Sequence, residues 1–286
     1  MKFNLVDTET IYRRLLNTPD AAEREAIFRE QLVAPFQGLV NQFGGGDGLG
    51  AFKQWGMTPD HFTGENHAWM TRIINAMAAY DAWNKAAQAL DEGWQKFAVY
   101  ASEIPTQEIT FGLMVFDAGN APIGRGYSGF GAIPGYIMTT YSEANDYTLS
   151  RVKGATAHEL HHNLLFAARP KNFMTETTVA DYMIYEGLAE SFAAELYGEE
   201  VVGYYVTDFD NSRLEATKTI LLDGLEKTRF DVIRSYIFGD SINQMQGREQ
   251  ISPDTPSATV SCSSTFSVQA KVWLRRLSSR QMKSSL

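Results

Sequence analysis

Three of the five histidines in this 286-residue chain fall within five residues, His158-Glu159-Leu160-His161-His162. On a helix His158 and His162 lie four apart, on one face, with side-chain roots about 5–6 Å from each other. Two imidazoles so placed can share one Zn²⁺. Glu159 sits beside that face, where its carboxylate can take a proton from metal-bound water and pass it to a leaving amine. With so few histidines, a chance H-E-x-x-H is on the order of one in a hundred. The pattern points to a zinc hydrolase; the bland alternative is a polar helix face that happens to carry histidines.

Other metal patterns fit less well. Glu159-Leu160-His161-His162 also reads E-x-x-H, half of a di-iron bundle site, but such a site needs a second copy. Neither His61, with Thr58 three places before it, nor His67, with Gly64, supplies one. The longer H-E-x-x-H-x-x-G-x-x-H pattern fails because Leu165 and Ala168 hold the glycine and histidine places. His161 could compete as a ligand, at the cost of Glu159's relation to the water. The third ligand must come from elsewhere, and a second helix over 175–197 carries Tyr185-Glu186-Gly187-Leu188-Ala189-Glu190. Glu186 and Glu190 share a face. Glu186 as ligand completes a two-histidine, one-glutamate set with a fourth position open. Glu190, one turn later, could accept the remaining ring N–H of a ligand histidine and fix its orientation. Glu176, Asp181 and Glu195 are reserve ligands, and a solvated acidic face is the bland reading of the pair.

The elements that position these groups follow from the texture of the chain. Up to about Pro105 the pattern reads helical, with Thr18-Pro19 and Thr58-Pro59 each offering a capping hydroxyl before proline. Trp69, Ile73, Ile74, Met77, Trp83, Leu90, Trp94 and Phe97 recur at the spacing of buried helix faces. Residues 109–116 and 136–141 read as strands. Between them Gly124 to Gly131 satisfies G-x-G-x-x-G, yet a dinucleotide site needs a helix after the glycines, and here Pro134 and a strand-like run follow. The glycines fit a loop that bends close to another backbone at the rim of the site. Ser128 fails as a nucleophile elbow because Phe130 stands where glycine is required.

Composition narrows the class further. The chain is 44% apolar, enough for a substantial core, and its net charge of −9 with no basic stripe argues against nucleic acid. No apolar run approaches the roughly 20 residues of a membrane span. The first residues turn polar too early for a signal peptide, and Cys262 is the single cysteine, which excludes an internal disulfide and a thiolate cage. A cytoplasmic location is expected.

Taken together, Ala157 to Asn163, Tyr185 to Glu190 and Tyr236-Ile237-Phe238-Gly239-Asp240 resemble the gluzincin-type metallopeptidases, and more narrowly the zinc-dependent proteases called YjaZ-like in bacilli. The resemblance runs from the strands to about Gly247. It implies an α+β, zincin-like fold, predominantly helical with a small sheet before the H-E-x-x-H helix. It also implies one Zn²⁺ per chain on His158, His162 and Glu186, with Glu159 as general base and a peptide or protein as substrate. The strand over 136–141 would be the edge on which that peptide is laid.

Three regions are expected: a helical part over 1–105, a metallopeptidase core over 106–250, and a tail over 251–286. The tail is serine-rich and almost free of acids, where the resemblance leads one to expect a helix with glycine and tyrosine. Codons for Asp254 to Thr259 could, in a shifted frame, read Tyr-Ala-Val-Gly-Tyr, so a frameshift is one explanation and a low-complexity tail the other. The point bears on catalysis, because metallopeptidases commonly bring an oxyanion donor from a later segment. Tyr204, Tyr205, Tyr236 and Arg234 are the remaining donors in this chain. The alternative to an active peptidase is a zinc-binding regulatory protein, or a pseudo-peptidase impaired in catalysis.

Overall fold

The computed structural model describes residues 1–117, 125–169, 172–173, 175–207, 212 and 214–238. The serine-rich tail, Gly124, Gly239 and Asp240 lie outside the described residues. Among the described residues the chain is predominantly helical with one four-stranded sheet. It divides after Arg169 into two compact units.

The first unit opens with strand β1 (Lys2–Leu5) and helices α1 (Thr8–Leu16), α2 (Ala21–Ile27), α3 (Gln37–Gln42), α4 (Leu49–Gln54), α5 (Asn66–Ala79) and α6 (Ala82–Phe97). Strands β2 (Glu108–Val115), β3 (Tyr127–Phe130) and β4 (Tyr136–Tyr141) follow, then α7 (Asp146–Ser150) and α8 (Val152–Ala168). The sheet order is β1-β2-β4-β3, with β1–β2 and β2–β4 parallel and β3–β4 antiparallel.

Several expectations need correction. The helical N-terminal part begins with a strand, whose four residues are too short a pattern to identify without the partner, Glu108 to Phe111. β3 forms inside the glycine-rich stretch read as a loop, because pairing with Met138 to Tyr141 outweighs the weak strand preference of Gly129. β4 is paired on both sides, so it is not an edge; among the described residues the edges are β1 and β3. Thr18 does not cap a helix start: its hydroxyl donates to the Arg14 carbonyl, and the Asp20 side chain caps α2. Thr58 does cap the short turn at Pro59, reciprocally with His61.

Alternation along the strands puts neighbouring residues on opposite faces. On one face Tyr12 of α1 donates its hydroxyl to the Met114 sulfur and accepts the Val115 N–H at 3.1 Å, while Phe36 packs over Gly112. On the other face α8 lies against β3 and β4, and α6 packs on α8. Phe28, Phe36 and Phe52 are fully buried. The edge-on pair Phe28–Phe52, with centroids 5.8 Å apart, adds about 1 kcal/mol beyond area burial. Ile73, Ile74, Met77 and Leu90 are core as expected. Trp69, Trp83, Trp94 and Phe97 are only half-buried. The Trp83 indole N–H donates to the buried Thr8 Oγ1 at 2.8 Å.

The second unit carries α9 (Val179–Tyr197), α10 (Tyr204–Thr207), α11 (Leu214–Gly224) and α12 (Phe230–Phe238). Its core is Val179, Tyr182 and Met183 of α9 with Leu221, Ile233, Tyr236 and Ile237. Among the described residues no helix is long and apolar enough to cross a membrane.

Candidate metal centre

Helix α8 is buried almost all round: Val152, Ala157, Leu160, Leu164, Phe166 and Ala167 are core, and so are the polar Thr156, Glu159, His161, His162 and Asn163. A helix with no solvent face suits a position between a sheet and another helix. It also means that each polar side chain on it must be matched by its surroundings.

His158 and His162 meet as their spacing predicts. Their Nε2 atoms are 2.9 Å apart and their rings stand edge to face at 79°. Two imidazole nitrogens at this distance must share a proton or a cation. Ligands of one tetrahedral zinc, with bonds of about 2.0–2.1 Å, lie about 3.3 Å apart. The pair therefore fits zinc with a small adjustment. His162 is stacked on Phe166, with centroids 5.9 Å apart, which fixes its ring. His161 points elsewhere and packs edge-on to Phe97 of α6.

Glu159 is 8% exposed and faces β3. A methyl at Gly129 would run into its carboxylate, and one at Gly131 into its backbone carbonyl. The glycines thus allow the close backbone approach expected of them, against Glu159 itself. Tyr141, from the adjacent β4, is fully buried, and among the described residues its hydroxyl has no hydrogen-bond partner. Burial first, then the charges of Tyr80 and Glu159, push its phenol well above the usual range.

Within the second unit, α9 begins at Val179, later than the 175 expected, because Thr178 caps it. The Thr178 hydroxyl accepts the Asp181 N–H at 3.0 Å and Asp181 accepts the Thr178 N–H at 3.1 Å. Two reserve ligands are accounted for here: Asp181 in this cap, and Glu176 accepting the Asn172 N–H at 2.6 Å. Glu195 is exposed. Glu186 and Glu190 are half-buried, and Glu190 Oε2 accepts the Gly203 N–H at 3.0 Å. Of the donors named from sequence, Tyr236 is 5% exposed in the core of this unit and its hydroxyl accepts from Lys227 Nζ at 2.8 Å. The Arg234 guanidinium lies over the Phe230 ring and Tyr204 is half-buried. The Tyr205 side chain lies outside the described residues.

Sequence reasoning gave Asn163 and Tyr141 no part around Glu159. For Asn163 a signal was present, an amide next to a ligand-type histidine in an otherwise apolar run. Tyr141 carried none, since only the sheet register brings it near α8.

The family model described as "Predicted Zn-dependent protease (DUF2268)" matches residues 82–255, from the start of α6 through both histidines and both glutamates. "Uncharacterized protein YjfC" of Bacillus subtilis (strain 168) is 39% identical over 144 residues, 50% of this chain and 48% of that protein. The chain spans about half the length of this curated relative. No solved structure matches. Since the family match covers more than half of the chain, the protein belongs to the family of predicted Zn-dependent proteases.

Proposed function

We propose that the protein is a zinc metallopeptidase of the gluzincin type, with a zincin-like core, in which His158, His162 and Glu186 hold one Zn²⁺ and Glu159 is the general base. The observation that carries this reading is the convergence of the His158 and His162 Nε2 atoms at 2.9 Å in a chain of this family. Further support comes from the residue types: two imidazoles four apart on one helix and a carboxylate on a following helix are the donor set that suits one zinc with a position left open.

Zinc held there supplies a Lewis acid that polarises a scissile carbonyl and makes water more acidic. Glu159 takes a proton from the attacking water and returns it to the nitrogen as the C–N bond breaks, leaving a carboxylic acid and an amine. Burial against Gly129 keeps that carboxylate in one place between the two transfers. β3, the edge strand next to Glu159, offers backbone N–H and C=O groups to an extended peptide. Glu190 serves as the outer partner of a ligand histidine.

The test is zinc per chain by elemental analysis, for the wild type and His162→Ala, with cleavage of fluorescein-labelled casein by the zinc-loaded wild type. We expect about one zinc in the wild type, little in the variant, and cleavage. Zinc absent from both after reconstitution removes the reading; zinc without cleavage replaces it with a zinc-binding protein that does not hydrolyse peptides.

A further inference from the structure

Asn163 directly follows His162 and is fully buried. Both ends of its amide are committed to the connection between β3 and β4. Its Oδ1 accepts the Gly135 N–H at 3.0 Å. Its Nδ2 donates to the carbonyls of Gly131, Ile133 and Tyr136 at 3.0, 2.7 and 2.9 Å. One N–H donor among three carbonyl oxygens fixes which end of the amide is nitrogen, and two N–H groups serving three acceptors means at least one is shared.

Asparagine is a poor helix former, and a leucine here would fill the space without needing any partner. The loop, for its part, turns from β3 into β4 and carries carbonyls that a buried turn must satisfy. Its first residue, Gly131, is also the one whose missing side chain lets it touch the Glu159 backbone. The two contacts work in concert: glycine at 129 and 131 permits the approach of strand to helix, and the Asn163 amide holds it.

The helix by itself sets His158, Glu159 and His162 relative to one another. It does not set them relative to β3. We infer that Asn163 is a positioning residue that clamps the edge strand to α8, so that a peptide aligned on β3 presents its scissile bond to Glu159 in register. This rests on the peptidase reading for its catalytic meaning, while the clamp itself is a property of the chain without metal.

Two variants test it in the full chain. Asn163→Leu removes all four hydrogen bonds at similar bulk; Asn163→Asp keeps the acceptor for Gly135 and loses the amide donors. We expect zinc per chain unchanged in both, amide hydrogen exchange over 127–136 faster by about tenfold or more, and kcat on labelled casein lower by about 10²-fold in Asn163→Leu. Asn163→Asp, which sets a buried carboxylate oxygen against the three carbonyls, should lose at least as much activity as Asn163→Leu. Ile74→Val, in the buried face of α5, controls for general destabilisation and should leave the exchange of 127–136, kcat and KM as in the wild type.

Unchanged exchange over 127–136 in both variants overturns the clamp, and faster exchange with unchanged kcat and KM overturns its positioning role. Should Asn163→Leu fail to fold, Asn163→Asp and Gly131→Ala disturb the same contact from its two sides and are read by the same criteria. If the wild type takes up no zinc, the peptidase reading fails separately, and the exchange measurement alone upholds or overturns the clamp.

Discussion

The helix that carries His158, Glu159 and His162 and the helix that carries Glu186 and Glu190 are held in different ways. In α8, 12 of 17 residues are buried, between a sheet face and α6. In α9, 5 of 19 are buried, and its anchoring comes from a cap at Thr178 and a small cluster around Val179, Tyr182 and Met183. The histidines and Glu159 are thus built into a closed layer, while Glu186 and Glu190 stand on a helix with local support. In the proposed zinc site the histidine half would be fixed by packing and the glutamate half tunable by the few residues beneath it.

The sharpest way to break the comparison is to neutralise one carboxylate on each helix. Glu159→Gln should keep about one zinc and lose casein cleavage by about 10²–10⁴-fold. Glu186→Gln should weaken zinc affinity by more than about 10²-fold, measured by competition with a chromophoric chelator. Equal zinc retention in both would remove Glu186 from the ligand set.

Next in size is the support of α9. Ile233 is fully buried in the second unit's cluster, and Ile233→Ala should lower unfolding stability by about 2–5 kcal/mol in denaturant titration. Hydrogen exchange should then quicken in α9 and stay slow in α8; acceleration of both together would mean that the two units unfold as one.

The smallest effect is expected inside the closed layer. Tyr141→Phe deletes a buried hydroxyl with no partner among the described residues, so stability should change by no more than about 1 kcal/mol, in the stabilising direction. A loss larger than that would show that the hydroxyl is bonded in solution.

The meeting of His158 and His162 was legible in the sequence because helix periodicity is local. The four-residue spacing of His158 and His162 predicts their meeting, and no tertiary information was needed. The glycines at 129 and 131 were legible as a close approach, though not what they approach. The sheet was less legible: β1 is four residues long, and β3 lies within a glycine-rich stretch, so their pairing is decided by distant partners rather than by their own residues. Asn163 illustrates the same limit, since a helix position says nothing of the loop carbonyls that a buried amide will meet.

The parallel pairing of β1 with β2 has a consequence for synthesis. Lys2 is matched with Glu108, so β1 waits for a partner that leaves the ribosome, at about 5–20 residues per second, about 5–20 s later. Six helices are completed in that interval, and the sheet can close only after them. The short, polar-flanked β1, with Lys2 and Asn4 held to Glu108 at the end, offers little surface for mispairing during that wait.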